Sequence, residues 1–159
     1  MNRGRIMQTL AKERDKAEIL RRLQALRPDS ARRWGRMSAH QMVCHLVDSC
    51  HVATGEKYAS PATGPFQRTV IKWIALYVPL RWPPGIPTRP EIDQQAGGGR
   101  RPGDFAADVA ELEALVQALC TRGKAIEGTT HPIFGRMSES AWLRWGYLHF
   151  DHHLRQFGV

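Results

Sequence analysis

Trp142, Trp145, His149, His153 and Gln156 recur at intervals of three and four residues. A helix of 3.6 residues per turn places all five on one stripe, whereas a strand, with its period of two, splits them between two faces. The same period returns in three further segments. The first runs from about Thr9 to Leu26, with Ile19, Leu20, Leu23 and Leu26 on its apolar side, and Pro28 bars its continuation. The second begins at Ser38, where Ser38-Ala39-His40-Gln41 has capping-box spacing, carries Met42, His45, Leu46, Ser49 and Val52 on overlapping faces, and stops at Gly55. The third spans Asp104 to Thr121, with Phe105, Val109, Leu112, Val116 and Leu119 in phase and Gly123 as its stop. The fourth, Ser138 to Gln156, holds the opening stripe. Gly35-Arg36-Met37-Ser38 recurs as Gly135-Arg136-Met137-Ser138 just before helices two and four, a repeated use of one helix-start chemistry.

No segment shows a strand alternation. Phe66 to Val78 reads as a shorter helix, and residues 79–103 hold six of the ten prolines and five of the fourteen glycines. The expected class is all-α: a four-helix bundle with a long Pro/Gly-rich connection between helices two and three, in one domain over 1–159. Irregular stretches of that length usually cover a site or act as linkers. Thr88-Arg89-Pro90-Glu91-Ile92-Asp93 fits either a cover over one bundle end or a solvated strap.

Three cysteines, Cys44, Cys50 and Cys120, contain no CxxC pair and suit a reducing compartment as packed apolar groups. The start is charged without a signal-like apolar core, and Val70 to Leu80 is about half a membrane span. A cytoplasmic protein with no membrane partner is expected. The net charge of +8 is concentrated in residues 1–36, which hold eleven Lys/Arg against four Asp/Glu. Glu13, Asp15 and Glu18 break the run, and no aromatic residues interleave with it, so a solvated arginine-rich face is expected over a nucleic-acid site.

The seven histidines sort by phase. His149 and His153, at i and i+4, stand one above the other on the fourth helix, about 6 Å apart at Cβ, while His152 turns about 100° from His153. On the second helix, His45 shares the inward side with Met42, Ser49 and Val52; His40 lies about 140° and His51 about 120° from it. Asp48 is placed either to support His45 or at the surface. Three inward imidazoles make the ligand set of an open metal site. Spacing alone leaves hydrogen-bonded core histidines, or a surface cluster, as an equal reading.

The ending His149-Phe-Asp-His-His153-Leu-Arg-Gln156-Phe-Gly resembles the HxxxHxxQ signature of the DinB-like (DinB/YfiT) superfamily of four-helix metalloenzymes. The resemblance is closest to a branch with a His-Pro-aromatic element, here His131-Pro132-Ile133-Phe134-Gly135, and a HHLRQFG-like tail. Leu154 follows His153 where the commoner signature has Arg, which places the chain in that side branch. The resemblance implies an up-down bundle holding one divalent ion (zinc, nickel or iron) on His45, His149 and His153. It further implies a metal-dependent enzyme, a thiol-dependent S-transferase using a low-molecular-weight thiol or a metal-activated hydrolase, with a small-molecule substrate. The alternative is a non-catalytic bundle binding a metal or small ligand. Trp142 and Trp145 are expected to wall an apolar pocket. His131 is a candidate acid/base or substrate contact or, as a Pro-flanked loop histidine, a turn element, and Gln156 a candidate contact to a metal-bound water or a cap on the stripe. A homodimer is compatible with a bundle of this size.

Overall fold

In the computed structural model, which describes residues 7–121 and 123–159, the long helices are α1 (Glu13–Ala25), α2 (Ala39–Thr54), α4 (Phe105–Thr121) and α6 (Glu139–Gln156). Between them lie the short helices α3 (Lys72–Tyr77) and α5 (Gly123–Ile126), a π turn over Gln67–Ile71 and a 3-10 turn over Pro90–Ile92. Arg3 and Arg5, part of the basic N-terminal count, fall outside the described residues.

Local chemistry sets most boundaries. Ser38 Oγ accepts the Gln41 N–H at 3.1 Å, and Gln41 Oε1 accepts the Ser38 N–H at 3.0 Å, so the capping box is complete. Gly55 closes α2 in the left-handed conformation, φ +78°. Ser138 caps α6 by accepting the Ala141 N–H at 3.2 Å. The two Gly-Arg-Met-Ser echoes therefore do the same work: each ends in a capping serine, and each glycine has positive φ, +77° at Gly35 and +68° at Gly135. The first helix starts later than its period suggests, because Thr9–Lys12 forms a turn whose Thr9 N–H donates to Asp15 Oδ2 at 3.0 Å. α4 ends at Thr121, as its period suggests, and Gly123 opens the short α5, where a Cβ would lie 1.7 Å from Glu139 Oε1.

The fold is mostly helical, with one departure. Thr130–His131 pairs antiparallel with Gly135–Arg136 in a two-residue ladder, too short to leave an alternation in the sequence. His131 Nδ1 closes its turn by accepting the N–H groups of Ile133 and Phe134, both at 3.1 Å.

α2 lies along α4, α1 meets both α4 and α6, and α6 also touches α2 and α3. Ile19, Leu23, Met42, Leu46, Leu112 and Phe150 are buried where these helices meet. Arg22, on the arginine-rich α1, is itself buried: it donates to Asp151 Oδ1 and to the Val159 carbonyl, both at 2.9 Å. The long connection is fastened to the helices by two buried carboxylates. Asp48 takes Lys57 Nζ at 2.7 Å and the Arg100 N–H at 2.9 Å, so it supports the connection and not His45. Asp108 takes His40 Nε2 at 2.6 Å, Arg100 Nη2 at 2.8 Å and the Gly103 N–H at 3.0 Å. Among the described residues no helix is long and apolar enough to cross a membrane.

Candidate metal centre

His45, from the middle of α2, and His149 and His153, from the last turns of α6, converge where the two helices meet. One nitrogen of each lies within 4.8 Å of the others, and His45 Nε2 and His149 Nε2 are 3.3 Å apart. The ring centroids of His153 are 4.8 Å from both His45 and His149.

The surrounding hydrogen bonds fix which nitrogens face inward. His45 Nδ1 lies 3.0 Å from the Ile92 carbonyl. A carbonyl only accepts, so Nδ1 carries the proton and Nε2 presents its lone pair to the cluster. Gln156 Nε2 donates to the Trp34 carbonyl at 2.9 Å, which orients the amide so that its Oε1 accepts from His153 Nδ1 at 3.1 Å. His153 Nε2 is thereby left as a second inward lone pair. Gly35 makes this amide position possible, since a Cβ there would lie 2.5 Å from Gln156 Nε2. His149 keeps a buried Nδ1 with no hydrogen-bond partner, and its ring lies over Trp145 with centroids 4.6 Å apart.

Burial is the main cause holding all three imidazoles below their ordinary pKa, His149 and His153 well below it; neighbouring histidines add to the effect at those two. All three are therefore neutral near pH 7 and keep lone pairs to donate. Three neutral nitrogen donors, two with their outer N–H anchored to an oxygen, could hold a metal ion.

The cluster lies on the wall of a cavity of about 680 Å³, lined otherwise by groups such as Ile71, Ile74, Trp82, Ile92, Phe134 and Trp145. Its described lining contains no Asp, Glu, Lys, Cys or Tyr. Trp145 stands on the wall as expected. Trp142 packs behind it, edge to face at 5.3 Å. His131 also lines the cavity, but its Nδ1 is committed to the turn, and burial pushes its pKa down to about 3. That leaves Nε2 as the protonated nitrogen. Gln156 is buried behind His153 as its hydrogen-bond partner and does not line the cavity.

Three contributors escaped the sequence reading. The Ile92 carbonyl and Trp82 come from the Pro-rich connection, where no periodicity signals an inward residue; Trp82 is held by its Nε1 donating to the Ala75 carbonyl at 2.9 Å. The connection is thus a cover, not a solvated strap. His152, turned away from its neighbour on the helix, still lines the cavity by packing against Trp82 and Trp34, with centroids at 6.2 and 6.0 Å. Its signal was the His-His pair itself. His51 pairs with Glu56 at 2.5 Å and His40 with Asp108, both outside the cluster. The Asp108 group also includes Cys44, but Arg100 already occupies that carboxylate, and burial pushes the Cys44 thiol up to about 11.

No curated protein and no solved structure gives a significant match to the chain. A family model does, over residues 8–158, so the chain belongs to the family described as "Protein of unknown function (DUF1569)".

Proposed function

We propose that this protein is a metal-dependent enzyme acting on a small apolar molecule, with one divalent ion held by His45, His149 and His153. The observation that carries the reading is the convergence of three neutral imidazoles, two of them locked as Nδ1–H tautomers with Nε2 facing the others. Helix order and the His149–His153–Gln156 spacing support a DinB-like up-down four-helix bundle as the parent architecture, with the connection after α2 as its long crossover.

A divalent ion in such a set supplies Lewis acidity, lowering the pKa of a coordinated thiol or water toward neutrality. The protein's own groups do the rest. Gln156 and the Ile92 carbonyl hold two imidazoles in fixed orientation. Trp82, Trp145, Ile74 and Phe134 exclude water and take up apolar substrate surface. His131, as a neutral Nε2–H group on the wall, is a hydrogen-bond donor to substrate, a role that needs no change of protonation. These features suit transfer from a low-molecular-weight thiol to an apolar electrophile, or hydrolysis of an apolar ester or amide.

A non-catalytic metal- and ligand-binding role is the second reading, favoured by one observation: apart from histidines and arginines, the described lining holds no titratable side chain to move a proton. Elemental analysis of untagged protein tests the site. About one divalent ion per chain is expected, lost in His153→Ala and retained in His51→Ala. Equal metal content in both variants overturns the assignment. Metal-dependent turnover across thiol-transfer and ester substrates then separates enzyme from binding protein.

A further inference from the structure

Among the described residues, every exposed large hydrophobic side chain except Met7 falls between Tyr58 and Ile86: Tyr58, Phe66, Val70, Trp73, Ile74, Tyr77, Leu80 and Ile86. The segment 57–90 also contains five Lys/Arg and not one Asp or Glu. Isolated exposed apolar groups are ordinary, but a concentration of this kind marks a contact surface.

The helical run from Gln67 through Tyr77 organises it. Phe66, Val70, Trp73 and Tyr77, spaced four, three and four residues apart, are exposed, Trp73 by 61%, while Leu76 is fully buried against the core. Leu80 and Ile86 extend the patch beyond the helix, and with Ile74 they line the mouth of the apolar cavity. Arg68 and Arg81 are exposed and make no ion pair with a described carboxylate. The carboxylates that share the rim of the neighbouring cavity with Arg81, Glu18 and Asp151, are engaged by Arg22, and Asp151 by Arg155 as well.

We propose that this face docks onto an anionic lipid bilayer, with Phe66, Trp73 and Tyr77 seated at the headgroup boundary and Arg68 and Arg81 facing lipid phosphates. A short helix with exposed aromatic groups at intervals of three and four, one arginine within it (Arg68) and another four residues past its end (Arg81), has the composition of an interfacial segment. Charge selects the occupant. Lys57 is already paired with Asp48 and Arg89 is bonded to Ser60. Two copies meeting through this face would still bring together Arg68, Lys72 and Arg81 of each with no Asp or Glu in the segment to offset them, whereas an anionic surface neutralises them. The expectation of no membrane partner rested on the shortness of the apolar run. Shortness rules out spanning and leaves lying at an interface open. Docked this way, the cavity mouth opens on the bilayer, the source of apolar molecules. Docking does not depend on the metal reading.

Co-sedimentation of the full chain with vesicles tests this. Phosphatidylcholine vesicles containing about one third phosphatidylglycerol should retain the protein at about 0.1 M salt and release it as salt is raised, while phosphatidylcholine alone retains little. Phe66→Ser with Trp73→Ser should abolish retention. Arg68→Gln with Arg81→Gln should weaken it on the order of tenfold or more. All four positions are exposed, so unchanged circular dichroism and thermal midpoint are expected and confirm that the variants are folded. Trp73 emission should shift to the blue on vesicles, a change absent in Trp73→Phe. Light scattering on the free protein supplies the opposing outcomes. A dimer dissolved by Phe66→Ser with Trp73→Ser, without vesicle retention, assigns the face to a second copy and overturns the proposal. A monomer that no vesicle retains overturns it equally. Loss of metal in His153→Ala leaves vesicle retention unchanged, so the two readings fail separately.

Discussion

Replacing Gln156 by leucine separates a positioning role at the candidate metal centre from a purely structural one. The side chain is 3% exposed and makes two hydrogen bonds, accepting from His153 Nδ1 and donating to the Trp34 carbonyl. Leucine has similar bulk and fills the space, but it strands both partners. Each stranded buried group costs about 1–3 kcal/mol, and the added apolar burial returns about 1–2 kcal/mol. The net loss is about 2 kcal/mol, a fall in Tm of about 4–8 °C for a chain this size. Metal affinity should fall further than stability suggests. Without the Gln156 oxygen the His153 ring is free to rotate and to move its proton to Nε2, and loss of such an outer partner typically lowers affinity about 10–100-fold. Competition with a chromophoric chelator measures the Kd, and calorimetry of the metal-free protein measures Tm. A variant with the expected Tm loss but wild-type Kd would refute the reasoning, because His153 would then not bind through Nε2.

Acid should destabilise the protein through His131. Its folded pKa, about 3, is depressed below the ordinary 6.5, so its contribution is intact above pH 6.5 and is lost as pH falls toward 3. The upper bound is about 5 kcal/mol over that window, and urea titrations of wild type and His131→Asn should converge as pH falls. Cys44 and Cys50, whose thiols burial pushes up to about 11 and about 12, should react with a disulfide reagent at pH 8 only at the rate of global unfolding. Arg22→Ala strands the Val159 carbonyl and removes one of the two arginines on Asp151, leaving Arg155 in place, and should lower stability by about 1–2 kcal/mol in denaturant melts. Ser38→Ala removes the α2 cap, with an expected loss of about 1 kcal/mol by the same measurement.

The sequence disclosed what repeats along a helix and little of what closes over it. The phase of His45 relative to Met42 and Ser49 pointed to it over His40 and His51, but it was not the whole reason: residues 42–50 are buried on every side of α2, and His40 and His51 sit half-buried toward the ends of the helix. Ser38-Ala39-His40-Gln41 located a helix start because its two hydrogen bonds are local. The Ile92–His45 and Gln156–Trp34 bonds join residues 47 and 122 positions apart, and no pattern within a segment encodes such pairings. His131, flanked by Pro132 in a loop, was legible as a turn element, but not the two backbone N–H groups it accepts, since that pairing has no spacing signature of its own.

The bond from His45 to the Ile92 carbonyl makes one short turn, Pro90–Ile92, answer to two masters. It helps wall the cavity and it holds the proton of a candidate ligand on the outer nitrogen. Any occupant that steadies this turn must therefore tighten an ion held by His45, and by thermodynamic reciprocity the ion must tighten the occupant by the same factor. Cooperativity between the two would then need no movement of the helices, only the ordering of three residues.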